Sequence, residues 1–594
     1  MRLPPSVCPG IPRRLFTACL LAAFSPAVAA TAPDTTGPTV ELPKLVINEQ
    51  RPLPAPESWR YARVPGLEVL SGASDRETQK LLYDFQLFNS AISVVWPGLK
   101  SHPLPPLSLI LCSSGPQFAA FAPAEGNATT GQATLLLHDP DRVAIVLNFG
   151  VKAVTLKPAE IGQADALAAD SQGTDAAGAL AGASMRVDYH RQLSRQYIRY
   201  LLGFSQPRLP AWLEEGLSQL LMGMRVDRKF IQFARLDPPP PVPATAGPAF
   251  AGPGDPSLPL PIPGQTLDEK DFNAAMARSG FMPLTAIFAV QHDAPETNNP
   301  IAGKWAMQSA ALVHMWLYGE SRKYNPGFAK FVVRAQQGPV NEDIFKECFG
   351  MGYEQMLLRL RVYLNDTAYQ YQEFSAGKGG GLPEPAPLDL RDATQPEIGR
   401  LKGDALVLAG RADAAYEEMR AAYVRGPADP ALVASLGLLE LRRGEAKRAR
   451  DFLEAAARLQ SGNPRAGLEL ARLRYAEAQA RSPDGLTEAQ TRSVVEPLLA
   501  ARLQPPPLPE VYELLTDVWL RSTASPGKAD LAVINQGVIL FQRRPVLLYQ
   551  AAELNRRHGN PAEARLMAQA GVQLSRTAEA RHAFQEILDT LPAK

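Results

Sequence analysis

Residues 403–422 read GDALVLAGRADAAYEEMRAA, and residues 437–456 read GLLELRRGEAKRARDFLEAA. Gly403, Gly410, Ala415 and Ala422 return 34 residues later as Gly437, Gly444, Ala449 and Ala456. Ala552, Gly559, Ala564 and Gly571 keep the same internal offsets of 7, 5 and 7 residues. Small side chains at these places let two paired helices approach closely, and the middle glycine belongs in the turn between them. Spaced alanines alone would mean little in an Ala-rich chain, but matching quartets mean a repeat. Residues 464–550 fit the register less well, with longer helices or insertions such as the prolines at 505–507.

A helix-turn-helix unit of this period resembles the tetratricopeptide repeat (TPR). The resemblance implies an all-α solenoid over residues 388–594, offering a concave helical surface to a protein or peptide partner.

The whole chain has 594 residues, with 61 basic against 60 acidic, 46% hydrophobic and 55 prolines. A net charge of +1 supplies no attraction for nucleic acid or an anionic membrane. At the N-terminus, Arg2, Arg13 and Arg14 precede the apolar run LFTACLLAAF at 15–24, and Ala27, Val28 and Ala29 form an A-x-A cleavage site. This is the pattern of a signal peptide over residues 1–29. The run is too short for about 30 Å of hydrocarbon, and no later one is longer in the required way. The expectation is an exported bacterial protein, periplasmic or extracellular, with no transmembrane segment. Cys8 and Cys19 leave with the signal. Cys112 and Cys348 remain, either paired in an oxidising compartment or as separate thiols. Residues 30–56, rich in Pro and Thr, read as a disordered leader.

Residues 57–375 are expected to form an α+β unit. Leu67 to Leu70 reads as a strand. Ser74 and Glu77 form a capping box ahead of Leu81, Leu82, Phe85, Phe88, Ile92 and Val95, which keep helical spacing. Further strands are expected at 107–111, 134–137 and 143–147. Residues 158–183 lack periodicity, and residues 236–266 hold eleven prolines, so both read as flexible insertions. Helices are expected at 184–202, at 211–224 and from 305 to 363, followed by a linker at 376–387.

Within this unit stands Arg195-Gln196-Tyr197-Ile198-Arg199-Tyr200-Leu201-Leu202, then Trp212-Leu213-Glu214-Glu215-Gly216-Leu217. The pair resembles the core of a gluzincin-type metallopeptidase, in which a helix bearing HExxH precedes one bearing W-L-x-E-G-L. The resemblance spans residues 60–365 and is most specific at 212–217 with the preceding helix. It implies that two histidines and the later glutamate bind zinc, with the HExxH glutamate as general base. Carried over, Arg195 and Arg199 stand at the histidine positions and Gln196 at the base, and only Glu215 is retained. A guanidinium has no lone pair for zinc and repels a dication. Glutamine cannot accept a proton at neutral pH. His190, one turn earlier, opens H-R-Q-L-S, which lacks the same groups. No catalytic residue, metal ligand or cofactor is therefore expected.

On a helix, Asp188, Arg191, Gln192, Arg195 and Arg199 share one face, opposite Met185, Tyr189, Leu193, Tyr197 and Leu201. The arginines repel one another unless Asp188, Glu214 or Glu215 neutralises them. The face formed by Arg191, Arg195, Arg199, Glu214 and Glu215 is thus a candidate salt-bridge tie or a candidate site for an anionic group. His314, among apolar neighbours, reads as a core-edge residue. The fold class is an α+β gluzincin-like domain followed by an all-α TPR-like solenoid. The expected function is that of an exported, non-catalytic pseudopeptidase scaffold. The alternative is an active hydrolase with a displaced site.

Overall fold

The computed structural model describes residues 42–44, 53, 55–100, 104–124, 133–150, 153–155, 184–186, 189–205, 207–233, 281–292, 294, 304–365, 372–375, 381–575 and 577–592. The signal peptide, the insertion at 158–183, the insertion at 236–266 and residues 376–380 of the linker lie outside them.

Strands β1 (Arg60–Val64) and β2 (Leu67–Ser71) form a hairpin whose turn holds Gly66 at φ 78°, the left-handed region that glycine tolerates. Helix α1 (Asp75–Val95) starts where Ser74 Oγ accepts the Glu77 amide. The Glu77 carboxylate takes the Ser74 hydroxyl at 2.6 Å. Next come β3 (Leu107–Cys112), the short α2 (Gly115–Ala119), β4 (Thr134–His138) and β5 (Val143–Asn148). β6 (Ala153–Thr155) pairs with β7 (Ser184–Arg186). Helices α3 (Tyr189–Gly203) and α4 (Ala211–Met222) follow, then β8 (Arg225–Val226) and β9 (Phe230–Phe233). Five helical segments complete the unit: α5 (Leu284–Ala289), α6 (Lys304–Tyr318), α7 (Asn325–Gln337), α8 (Glu342–Phe349) and α9 (Tyr353–Asn365). β10 (Gln372–Ser375) returns to pair with β9, and β11 (Arg391–Asp392) pairs with β1.

One expectation needs correction, and described parts of the leader and linker make contacts. The helix drawn from 184 begins only at Tyr189, because Ser184 to Arg186 pair antiparallel with Ala153 to Thr155. The backbone groups of that segment are satisfied by a ladder, so Met185 is not on the helix, and Asp188 lies outside the described residues. Parts of the leader are held in place: Leu42 packs against the repeats, and Tyr423 Oη donates to the Pro43 carbonyl at 2.8 Å. The described half of the linker is docked rather than free. Leu382 N–H bonds the Arg228 carbonyl at 2.9 Å, and Glu384 pairs with Arg228 at 3.1 Å. Cys112 and Cys348 are both free thiols.

The main sheet is mixed, in the order β11-β1-β2-β3-β5-β4. β2, β3 and β5 run parallel, with antiparallel strands at both sides. Both faces are buried. Val69, Leu109, Leu111, Ile145 and Leu147 point to α1, α3 and α4. Leu70, Ile110, Cys112, Ala144 and Val146 point the other way, onto Ile398, Leu401 and Ala405 of the repeat region.

That region runs from α10 (Gln395–Leu408) through α11 (Ala412–Arg425), α12 (Pro430–Arg442), α13 (Ala446–Arg458), α14 (Pro464–Arg481) and α15 (Glu488–Ala501). It continues through α16 (Pro509–Arg521), α17 (Lys528–Leu540), α18 (Pro545–Arg557), α19 (Pro561–Leu574) and α20 (Ala578–Thr590). Antiparallel pairs stack as a TPR-like array, and the repeat glycines sit where the sequence asked for small residues. A Cβ on Gly403 would fall 2.5 Å from Met419, and one on Gly437 would fall 2.9 Å from Leu453. Gly410, Gly444 and Gly559, the turn glycines, all have positive φ.

Helices α10, α12 and α14 turn their charged side chains to the sheet unit. Arg400 forks onto Glu68 at 2.8 and 3.0 Å, Arg442 reaches Asp139 at 2.9 Å, and Arg142 and Arg465 pair with Asp404 and Asp141. Burial alone would raise the Glu68 pKa, but the Arg400 bonds and charge hold it below the ordinary value.

Two outcomes follow. Residues 57–375 expressed alone leave one sheet face uncovered, so they should aggregate or bind a hydrophobic dye, whereas the full chain stays soluble. Soluble, cooperative unfolding of that fragment would disprove the shared core. Glu68 contributes stability above its unfolded pKa of about 4.3, and this is lost as pH falls toward the lower folded value. Urea midpoints between neutral pH and pH 3 should therefore fall less steeply in Glu68→Gln than in the natural chain.

Candidate functional site

Helices α3 and α4 pack together on the first face of the sheet, and their sequences explain how. Leu193, Tyr197, Ile198, Leu201 and Leu202 are buried against α1 and the strands. Tyr189 stacks on Phe149 with ring centroids 4.2 Å apart. Trp212 is fully buried among Phe288, Trp316 and Phe331. Gly216 meets α6 so closely that an added Cβ would fall 2.7 Å from Val313. These contacts fix the faces that carry the charges.

Arg195 and Glu215 come together, with Arg195 Nη2 lying 3.3 and 3.4 Å from the two carboxylate oxygens. Gln219, one turn beyond Glu215, donates to Oε1 at 2.7 Å. Glu214 is also buried, and its Oε2 is 3.2 Å from His292 Nε2. Gln196 is buried and donates from Nε2 to Thr134 Oγ1 on β4 at 2.9 Å. His190 sits edge-on to Phe88, one turn before this cluster, and Arg191 lies half-buried near it. His314 is fully buried, deeper than a core-edge residue, with Nδ1 2.6 Å from Tyr363 Oη.

Arg199 is different. It is half-buried, and among the described residues it has no hydrogen bond or ion pair. Burial, and after it the Arg195 charge, pull its pKa below the ordinary arginine value; Glu214 and Glu215 oppose this, and Arg208 adds to it. His138, at the end of β4, is likewise lowered, by desolvation and then by Arg208 and Arg199. Desolvation is the larger cause at both residues, and nearby arginines and carboxylates act on each in opposite directions.

The chemistry of this arrangement is an ion-pair tie between α3 and α4. Among the described residues, no group of three or more His, Cys, Asp or Glu side chains is placed to hold a metal ion. The sequence reading found Arg195, Arg199, Glu214 and Glu215. It missed Gln219, which stands at the i+4 spacing where side chains on a helix meet. Arg208, His138 and His292 come from loops and a strand end, where no spacing rule reaches.

No family model and no curated protein matches the chain. Among solved structures it is similar to PilF of Pseudomonas aeruginosa, at 16% identity over 33% of this chain and 85% of that one, with a TM-score of 0.25. It is also similar to a thermophilic TPR protein of Thermus thermophilus, at 18% identity over 32% and 97% of the two chains and a TM-score of 0.22. The assembly chaperone of RpL4 (residues 1–338) gives 18% identity over 33% and 83%, with a TM-score of 0.22.

Arg195→Ala leaves Glu215 buried with one partner fewer. It should cost about 1.5–3 kcal/mol of unfolding free energy in denaturant titrations. Arg195→Met with Glu215→Met should recover most of that loss, because the pair is then replaced by apolar volume. A double variant as unstable as the two singles combined would mean that the contact is not a tie.

Proposed function

We propose that the protein is an exported, non-catalytic scaffold of pseudopeptidase type, whose repeats bind a protein or peptide segment. The α+β unit is read as an inactive gluzincin-like domain that has kept the helix pair and given up the metal. Its supporting feature is Arg195, which holds the carboxylate that the resemblance assigns to zinc.

The observation that carries the binding role is a difference along the solenoid. The inner helices α10, α12 and α14 are occupied by the sheet unit. From α16 onward, no hydrogen bond or ion pair reaches residues 55–375 among the described residues. There the surface turns apolar. Val546 and Tyr549 of α18 are 58% and 39% exposed, and Ile539 and Leu540 at the end of α17 are 60% and 47% exposed. Val546 directly follows the helix-opening Pro545, just as Arg465 follows Pro464. It therefore continues the row that the sheet unit engages. Exposed apolar side chains in such a row fit a partner segment with apolar anchors. No described helix is long and apolar enough to cross a membrane.

The test is co-purification from the exported fraction with the natural chain and with Val546→Asp/Tyr549→Ala. Loss of the same partner from the variant, with unchanged circular dichroism, is the expected result. Zinc content near zero, and no effect of chelator on partner capture, should accompany it. One zinc per chain, lost in Glu215→Ala, would overturn the non-catalytic reading.

A further inference from the structure

Two stretches near the far end of the array carry positive charge alone. Residues 497–509 hold one charged side chain, Arg502, and residues 531–552 hold two, Arg543 and Arg544. Neither stretch contains an acidic residue. The first includes the turn between α15 and α16, and the second the turn between α17 and α18. Folding puts them side by side: Arg502 Nη1, at the end of α15, donates to Gln536 Oε1 of α17 at 3.2 Å. Leu540 lies one turn beyond Gln536 on the same side of that helix.

The second turn is tight. The Arg544 amide bonds the Phe541 carbonyl at 3.1 Å, so the chain reverses within four residues. Phe541 anchors it on Tyr512, with ring centroids 5.8 Å apart. Ile539 and Leu540 enter the turn and Val546 leaves it, at 60%, 47% and 58% exposure, and Leu503 of the first turn is 68% exposed. Glu513 holds Arg544 at 3.0 Å. Arg543 is exposed and has no ion pair among the described residues, and Arg502 bonds the neutral Gln536. One carboxylate therefore stands against three arginines. Exposed aliphatic side chains edged by uncompensated arginines are matched by a segment that sets acids beside its apolar groups. We propose that the edge formed by these two turns docks a protein segment whose apolar anchors are flanked by Asp or Glu. This rests on the binding role of the repeats and names the chemistry of their partner. An anionic membrane is the poorer match, because such surfaces are held by clusters of roughly four to eight basic residues.

The test is selection of random peptides displayed on phage against the full chain, followed by fluorescence titration of the enriched peptides in solution. Enriched peptides should pair apolar residues with neighbouring Asp or Glu, and should bind about tenfold less tightly once those acids are changed to amides. Arg543→Glu, a charge reversal at an exposed turn position, should weaken the same peptides about tenfold. Selection repeated on that variant should lose the acidic bias. Leu503→Asp, also at an exposed position, should weaken them too, and serves alone if Arg543→Glu does not fold. Enriched peptides without acidic bias would overturn the proposal. So would no enrichment at all, or unchanged affinity in Arg543→Glu, or in Leu503→Asp where that variant is the one tested. Cosedimentation with phosphatidylglycerol vesicles that is lost in Arg543→Glu would assign the surface to a membrane and overturn it as well. The binding role of the repeats fails separately, when partner capture is indifferent to Val546→Asp/Tyr549→Ala.

Discussion

A sheet with two apolar faces needs two covers, and in this protein they come from opposite ends of the chain. The strands Leu107–Cys112 and Val143–Asn148 are apolar almost throughout, with side chains buried on both sides. Strands of this kind occur where both faces are packed. One cover is α1 with α3 and α4. The other is the first part of the solenoid, which begins nearly 250 residues after β5. Each face buried is worth about 25 cal/mol per Å² of apolar area, so neither half of the chain keeps its sheet without the other. The pairing of β1 with Arg391–Asp392 carries the same dependence into the hydrogen-bond ladder.

This shared core fixes what the charged groups can do. The tip between β4 and β5 brings Asp139, Asp141 and Arg142 against Arg442, Arg465 and Asp404 of three successive inner helices. Most of these side chains are partly buried, so each pair is stronger than a solvated surface ion pair, and removing one member leaves the other poorly solvated. On the opposite face, packing of α3 against the strands and of α4 against α6 holds Arg195 opposite Glu215. There the ion pair ties the two helices together.

The repeat was legible because its turn glycines need positive φ and its small residues sit at close helix contacts. Those are requirements that only a few side chains meet. Proline spacing is a further marker of the repeat. Pro396, Pro430 and Pro464 are spaced by 34 residues, and each lies in the first turn of its helix, where a missing amide costs nothing. The third repeat therefore keeps the register at its start. The break comes only afterwards, in the longer α14 and the segment before Pro509. The strand at Ser184 was not legible, since its partner lies across an insertion and nothing local distinguishes three residues of ladder from the first turn of a helix. The arginine tie was legible from helical spacing plus one homologous-looking segment. The influence of Arg208 on Arg199 was not, because that loop residue approaches α3 only through tertiary packing.

The position of the sheet also limits how the solenoid can recognise anything else. TPR-like arrays bind with their inner row of helices, and here the first three inner helices already hold the α+β unit. A partner competing for α10, α12 and α14 would have to displace the Arg400 fork on Glu68, uncover Leu70, Ile110 and Val146, and leave Asp139 and Asp141 without their arginines. No ordinary peptide supplies enough contact to offset that exposure. Among the described residues, the inner row makes no hydrogen bond or ion pair to the sheet unit from Pro509 onward, where the side chain after the helix-opening proline changes from Arg465 through Glu510 to Val546. Under the proposed function, recognition is thus left to the far end of the array. The side chains there shift from charge pairs within the chain to exposed apolar groups.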